Sequence, residues 1–452
     1  MSLVFGRSSR SIPDPRLQFD SSDHVSVDPI FGLDNWDPYR LPDLECVRAA
    51  AICQPALQSL LKRFWSNLKD GYEGNPFVKY SGFRSIFTTP ITDLEVIVNP
   101  DMKNGELSTR FAASVRDIEP NVDIVFAVLP YDYPQDAIEV YNELKAASFK
   151  SRMKTQCIRR SILQRLDTKD HAIDLWNIST GIFTKVGGTP WILDETMSEI
   201  GCFVGMVAER CPEGSPTFGK TGICEVIDNY GTHVIWSKED LPSMSLIRED
   251  RRMVKNIDEK DTTRLIESCL DKYCRQKLGP NYQQRLNLLS DKVVVFHFTD
   301  DFSENVLDVM EKTIQNFGIE RYQLIHLKNN SPFRLYSNEN SEFKPLRGTV
   351  WELDDENAVL YTHGRREYRR GRVHKVYSRN KRITPIGVEI LRQNKGIAIY
   401  DACSHVLNLT GLCWYTTDIE MRMPITIKIA RKLSSLWKRG VLSDFEDIRY
   451  VL

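Results

Sequence analysis

The 452-residue chain has no CxxC pair, no internal repeat, no low-complexity tract and no long apolar run, and its charges almost cancel. Lys and Arg number 60 against 61 Asp and Glu, a formal net charge of −1. No global field therefore draws the chain to nucleic acid or membrane, and any polyanion site has to be a local basic surface. The 10 cysteines are scattered. The closest late pair, Cys269 and Cys274, falls in an amphipathic stretch that reads as a helix, so a structural zinc cluster is not expected. Met1–Arg10 carries no secretory signal and nothing downstream is long and apolar enough to span a bilayer. The thiols are thus expected to be reduced and buried in a cytoplasmic protein, where the sequons at Asn177 and Asn408 mean nothing.

What is present reads as an ordinary globular protein with 41% hydrophobic residues, long enough for two or three domains. The first forty residues are rich in Pro, Asp and Ser, with Phe31, Trp36 and Tyr39 interspersed, and read as an extended arm laid over a domain. A helix is expected from about Asp43 to Leu68, with Leu57, Leu60, Leu61 and Phe64 on one face. Leu94–Val98 and Val122–Leu129 are short apolar runs of the kind buried parallel strands show. The second is followed by a turn at Pro130–Pro134 and a helix over about Gln135–Ser148. A further apolar segment, Ala172–Trp176, precedes a helical stretch ending at Lys185-Val-Gly-Gly. Together these predict a small doubly wound α/β domain over 45–188. After the break at Gly187-Gly-Thr-Pro-Trp191, strands are expected at Ile200–Val207, Ile223–Ile235, Lys292–Phe298 and Tyr322–Leu327. Helices are expected at Thr262–Lys277 and Asn305–Phe317. That order fits a mixed sheet with helices on both faces, of which an RNase H-like fold is one form.

Gly214-Ser-Pro-Thr-Phe-Gly219-Lys220-Thr221 matches the P-loop pattern GxxxxGK[ST]. The mechanism needs a helix N-terminus after the loop, so that backbone N–H groups cradle phosphate. Here Gly222-Ile-Cys-Glu-Val-Ile-Asp alternates like a strand, and Pro216 removes one donor. A hairpin loop is the expected structure, although Asp300 after Val293–Val295 could pose as the acidic strand of a nucleotide site.

The helix over 135–148 places Tyr141 and Lys145 on one face, four residues apart. A basic stretch follows, Lys150, Arg152 and Lys154, then Gln156, with Lys185 closing the domain. Lys attracts phosphate as a point charge, Gln adds a neutral donor, and Tyr offers a hydroxyl and a face for base stacking. A solvated helix face would look the same in isolation. In order and approximate spacing, however, Tyr141, Lys145, Gln156 and Lys185-Val-Gly-Gly-Thr-Pro-Trp-Ile-Leu193 resemble the guide-binding pocket and MID–PIWI junction of prokaryotic Argonautes. Ile383-Thr-Pro-Ile-Gly-Val-Glu-Ile390 and Met423-Pro-Ile-Thr-Ile-Lys-Ile429 resemble PIWI strands, the second leading into a helix over 430–437. With no room for N-terminal and PAZ domains, the chain resembles a short Argonaute.

That resemblance implies an α/β chain of a small Rossmann-like MID domain (45–188) and an RNase H-like PIWI domain (189–452), with residues 1–44 as an arm packing on PIWI. It implies that Tyr141 stacks on the first guide base while Lys145, Gln156 and Lys185 hold the guide 5′-phosphate. A Mg²⁺ ion would sit there between Gln156 and the terminal carboxylate of Leu452. Lys154, Arg365, Arg366, Arg369, Arg370 and Arg372 become candidate duplex-backbone contacts, since phosphate contacts dominate nucleic-acid affinity. The last five belong to a run of nine Lys/Arg between His363 and Arg382, interleaved with Tyr368 and Tyr377.

A PIWI nuclease needs several carboxylates to hold two Mg²⁺ ions. The first should lie where Cys202–Phe203 falls, the second where Thr299 or Asp300 falls, and the last near Ala430-Arg431. Asp300 alone cannot hold two ions, so no catalysis is expected of this chain. The expectation is a guide-binding sensor, with an RNA or DNA guide and a complementary target, RNA against single-stranded DNA being the expected pair. Short Argonautes of this type usually pair with an APAZ protein fused to a TIR, sirtuin-like or nuclease effector. The implied role is prokaryotic immunity against plasmids or phage, with NAD consumption in the partner. An active guided nuclease using Asp300 and a P-loop NTPase using Lys220 are the rival readings.

Overall fold

The computed structural model describes residues 9–74, 78–98, 109, 113–115, 118, 121–129, 134–194, 197–211, 219–250, 252–284, 288–329, 331–335, 345–364, 366–370, 373–377, 383–417 and 421–441. The chain forms two compact units. One comprises Leu17–Asp194, Cys413–Asp418 and Ser435–Leu452, the other Met1–Arg16, Glu195–Leu412 and Ile419–Ser434. Residues 17–44 of the expected arm thus fall in the same unit as the expected small α/β domain.

The first unit is built on four parallel strands, β1 (Ala49–Cys53), β2 (Glu95–Val98), β3 (Ile124–Leu129) and β4 (Thr155–Arg159), in the order β2-β1-β3-β4. β1 and β3 are buried along their whole length, as expected of strands covered on both faces. Three helices serve the sheet: α1 (Gln58–Asp70), α2 (Pro134–Lys150) and α3 (His171–Lys185). Ala50, Ile52, Val125 and Ala127 pack with Val140, Leu144 and Ala147 of α2. On the opposite face Trp65 of α1 meets Phe126 edge-on, ring centroids 4.9 Å apart. This is a doubly wound arrangement.

Two expectations are corrected here. The helix expected over Asp43–Leu68 is a strand at Ala49–Cys53 followed by a helix that begins only at Gln58. The alanine run pairs on both edges, with β2 and β3. Pro55, which lacks the donor a helix interior requires, falls in a short 3-10 turn between the two. Ala172–Trp176 is no separate segment but the opening of α3.

The second unit carries a nine-stranded sheet. Its longest strand is β5 (Ile200–Cys211), followed on one side by β6 (Gly219–Asp228) and then β7 (His233–Asp240), each antiparallel to its neighbour. On the other side come β8 (Val293–Phe298) and β9 (Arg321–Lys328), parallel to β5. Three antiparallel strands next to two parallel ones, in the order β7-β6-β5-β8-β9, is an RNase H-like sheet. β10 (Thr349–Glu352), β11 (Asn357–Leu360), β12 (Ile386–Asn394) and an edge strand at Arg10–Ser11 extend it. Helices α4 (Glu259–Leu278) and α5 (Glu304–Asn316) cover one face, burying Cys202, Val204 and Met206 against Leu265, Cys269, Leu307 and Met310. Toward the C-terminus come α6 (Ile399–Asn408) and α7 (Ile425–Lys438).

The expected strand Ile223–Ile235 is broken into β6 and β7. Asp228 turns the chain by accepting hydrogen bonds from the N–H groups of Tyr230 (3.1 Å) and Thr232 (2.8 Å), and Gly231 supplies a φ of +82°. The strand expected at Met423–Ile429 is instead the start of α7. Its β-branched alternation reads as strand, but Ile425, Ile429, Leu433 and Leu436 form a buried helical stripe. Gly219 pairs with Cys211, so the P-loop match falls between two antiparallel strands. Lys220 and Thr221 lie in β6, and Lys220 Nζ donates to the Pro242 carbonyl at 3.0 Å. Residues 214–218 of that match lie outside the described residues. None of the 10 cysteines is in a disulfide. No helix among the described residues is long and apolar enough to cross a membrane.

Candidate functional site

In the first unit, Tyr141, Lys145, Gln156 and Lys185 gather about the start of β4, an edge strand open to both faces of its sheet. Tyr141 and Lys145 descend from α2, and the Lys145 ammonium sits 5.9 Å from the centre of the Tyr141 ring, within cation–π range. Lys145 is buried and also donates to the Thr155 carbonyl at 3.5 Å. Burial lowers its pKa, opposed by the nearby Cys157 thiol. Burial likewise pushes the Tyr141 phenol up, against the pull of Arg439. Gln156 points to the other face of the strand, where its Oε1 accepts from Lys185 Nζ at 2.5 Å. Lys185 is buried as well. Two buried lysines, an amide and a phenol thus converge on one strand end. Burying ammonium groups is costly, and an anion bound there would offset that cost.

Lys185 is the last residue of α3, and the glycines after it end the helix. Gly187 takes a φ of +110°, and Gly188 N–H returns to the Phe183 carbonyl at 3.0 Å. The sharp break thereby fixes the end of the helix that carries Lys185. Along α3, Asn177, Gly181 and Thr184 form a face that meets residues 414–417. Asn177 Oδ1 accepts from the Thr417 N–H at 2.8 Å and the Thr416 hydroxyl at 3.2 Å, and the Thr184 hydroxyl donates to the Trp414 carbonyl. A Cβ on Gly181 would stand 3.5 Å from Gln156 Oε1 and 3.8 Å from Tyr415. Arg439 donates to Asn142, the neighbour of Tyr141, at 3.4 Å. Sequence reasoning missed both Arg439 and the 414–417 segment. Each meets the site only through folding, and neither belongs to a motif.

The other expected contacts are placed less fully. Lys154 is half-buried and lines a cavity of about 440 Å³ with Arg40, Asp123 and Gly187. Arg366, Arg369 and Arg370 lie in a hairpin of strands Arg366–Arg370 and Val373–Tyr377, of which the backbone is described. Arg365, Arg372 and Leu452 lie outside the described residues. Of the donors expected around Mg²⁺, Gln156 is the one described. Its amide oxygen is a hard donor of the type Mg²⁺ accepts, beside the lysines that would share a phosphate with it.

In the second unit, the positions expected of metal-binding carboxylates hold other chemistry. Cys202 faces the core beneath α4. Phe203, on the opposite face of β5, stacks on His297 with centroids 5.6 Å apart and meets His405 edge-on at 5.8 Å. Burial pulls His297 down to about 3 and His405 to about 4. At the end of β8, the Thr299 hydroxyl accepts from Arg431 of α7 at 2.9 Å. Asp300 is held by Lys255 Nζ at 2.7 Å and accepts the Ala208 N–H at 2.8 Å, an ion pair that ties the ends of strands together. Among the described residues no three His, Cys, Asp or Glu side chains come together as a metal site would need.

No protein-family model and no curated protein matches the chain. Solved structures do match it. Clostridium butyricum Argonaute bound to a guide DNA and a 19-mer target DNA is 18% identical, with a TM-score of 0.72 over 99% of this chain and 55% of that one. A. aeolicus Argonaute is 17% identical, with a TM-score of 0.60 over 91% of this chain and 51% of that one. Drosophila Piwi is 14% identical, with a TM-score of 0.63 over 98% of this chain and 56% of that one. The likeness establishes the expected fold, a MID-like unit with an RNase H-like PIWI unit, and the chain spans about half the length of these structures.

Proposed function

We propose that this chain captures the 5′-phosphate of a guide strand at the start of β4, pairs the guide with a complementary target, and passes the bound state to a separate effector without cutting. The convergence of Tyr141, Lys145, Gln156 and Lys185 carries the reading. The two ammonium groups would neutralise phosphate where water is excluded and each charge counts for more. The Tyr141 ring, held by α2, would stack the terminal base. Mg²⁺ held by Gln156 would supply further neutralisation of the phosphate. Gln156 is positioned for this by Lys185.

The silence of the second unit is supported by the groups at its strand ends. A guanidinium at the Arg431–Thr299 pair repels metal ions, and Asp300 is already neutralised by Lys255. Without cleavage of its own, the chain fits a partner that acts. We assign that role to an APAZ protein with a TIR, sirtuin-like or nuclease domain, in defence against invading nucleic acid, with an RNA guide and a DNA target.

Filter binding of 5′-phosphorylated and 5′-hydroxyl guides tests the grip. Wild type is expected to prefer the phosphorylated guide, and Lys145→Ala/Lys185→Ala to lose about tenfold or more of that affinity, the value of one charged hydrogen bond or more. Equal binding of both guides would refute the reading. Guide-loaded protein with labelled target and Mg²⁺ should leave the target whole; an Asp300-dependent cut would establish the nuclease alternative. Lys220→Ala should leave guide binding unchanged.

A further inference from the structure

At the carboxyl ends of β8 and β9 the second unit concentrates positive charge that no carboxylate among the described residues balances. Arg431 donates to Thr299, just after β8, at 2.9 Å. It also reaches Asn329, just after β9: with the amide oxygen turned toward the guanidinium, the two nitrogens lie 2.8 and 3.2 Å away. Arg422 donates to the carbonyl of the same Asn329, so two guanidinium groups converge on one residue. The Nε of Arg422 is buried and has no hydrogen-bond partner among the described residues. Arg334 donates to the carbonyls of Ser331 and Phe333 and stands close enough, with Arg431, to depress the Arg422 pKa beyond the effect of burial. Among the described residues no carboxylate pairs with Arg334, Arg422 or Arg431.

Three like charges held together cost free energy unless an anion joins them, and a buried donor without an acceptor needs one. The place is also where open α/β sheets bind ligands, outside the carboxyl ends of parallel strands. Planar guanidinium forks match the paired oxygens of a phosphodiester, which a lysine would meet only as a point charge.

We propose that Arg334, Arg422 and Arg431 form a phosphodiester clamp for the backbone of a nucleic-acid duplex. Fixed guanidinium charge there does the neutralising that metal ions do in an RNase H-type nuclease, and holds the strand without activating water. The inference rests on the nucleic-acid reading above but uses a different site from the guide 5′-phosphate.

The test uses the full chain and two probes: a labelled guide–target duplex with 5′-hydroxyl ends, and a single-stranded 5′-phosphorylated guide. Arg422→Gln/Arg431→Gln should lower duplex affinity about tenfold or more at physiological salt, and reduce the slope of log K against log salt by about 1 to 2. Guide affinity should change by less than about twofold, since the guide's phosphate sits elsewhere. Arg431→Lys should recover only part of the duplex loss, because charge returns without the fork. Arg431 is exposed, so the single Arg431→Gln variant decides the matter if the double variant fails to fold. Unchanged duplex affinity and slope, or no duplex binding by wild type, overturns the clamp. Arginine-dependent duplex binding by a protein that ignores the 5′-phosphorylated guide would sustain the clamp and overturn the guide reading.

Discussion

Lys145 shows how a single residue can be kept at the expense of stability. Its ammonium is buried beneath α2, where an apolar side chain of similar length would avoid the desolvation cost. Lys145→Met is therefore expected to unfold at an equal or higher temperature than wild type, by calorimetry, while losing the 5′-phosphate preference. A lower unfolding temperature would mean that the charge is structural. Four histidines give a second residue-scale expectation. Burial holds His171, His363 and His405 at about 4 and His297 at about 3. Arg63 adds to the effect at His171, His405 at His297, and Arg422 and Arg347 at His363. Their folded pKa values lie below the unfolded value of about 6.5, so the unfolded chain binds more protons and stability falls as pH drops from 6.5 toward 4. Glu389, held at about 2 chiefly by His326 and then Lys328, contributes stability that is present above about 4.5 and lost only below it. Between pH 6.5 and 5 the histidines therefore dominate, at up to roughly 1 kcal/mol each per pH unit. Urea midpoints at pH 7.5 and 5 should show the drop, and His405→Gln should shrink it.

At the scale of elements, close approach leaves its mark on glycines. A Cβ on Gly205 of β5 would lie 2.3 Å from the Thr426 carbonyl at the start of α7. Gly205→Ala is thus expected to destabilise the chain by about 1–3 kcal/mol, read from the urea midpoint, as α7 is pushed off the strand. Gly181 presents the opposite case. Its Cβ would make only ordinary contacts at 3.5–3.9 Å, so Gly181→Ala should stabilise α3 by up to about 1 kcal/mol and leave guide binding intact. The same scale decides what could be read from the chain alone. β3 and α2 were legible because a β-branched run and a long helical stretch each agree with their surroundings. Ala49–Cys53 was misread because alanine takes either form and pairing with β2 and β3 decides. The first turns of α7 were misread because Ile-Thr-Ile-Lys-Ile alternates like a strand, while the stripe that makes it a helix emerges only with Leu433 and Leu436. The grouping of Tyr141, Lys145 and Lys185 about the start of β4 was legible in the Tyr141–Lys145 spacing and the Lys185-Val-Gly-Gly break. The arginine clamp was not, since Arg334, Arg422 and Arg431 meet only through Asn329 and the ends of two strands.

For the whole molecule, a net charge of −1 means that binding must come from local sites, so affinity for a duplex should fall with salt as a few contacts release counterions. Under the proposed function, target pairing must favour the active state of an effector over its resting state, and the coupling is reciprocal. Adding a complementary target to the guide-loaded chain with its effector should switch on that effector, followed as NAD loss for a TIR or sirtuin-like domain. Lys145→Ala/Lys185→Ala should abolish the response. An effector equally active without target would remove the sensor role.

The way Asn177 is held by Thr416 and Thr417 has a consequence for the birth of the protein. A ribosome delivers Tyr141, Lys145 and α3 early, but the segment that covers α3 and the arginine that adjoins Tyr141 emerge long afterward. The first unit therefore draws on chain made long after its sheet. A half-made chain has the lysines without their surroundings.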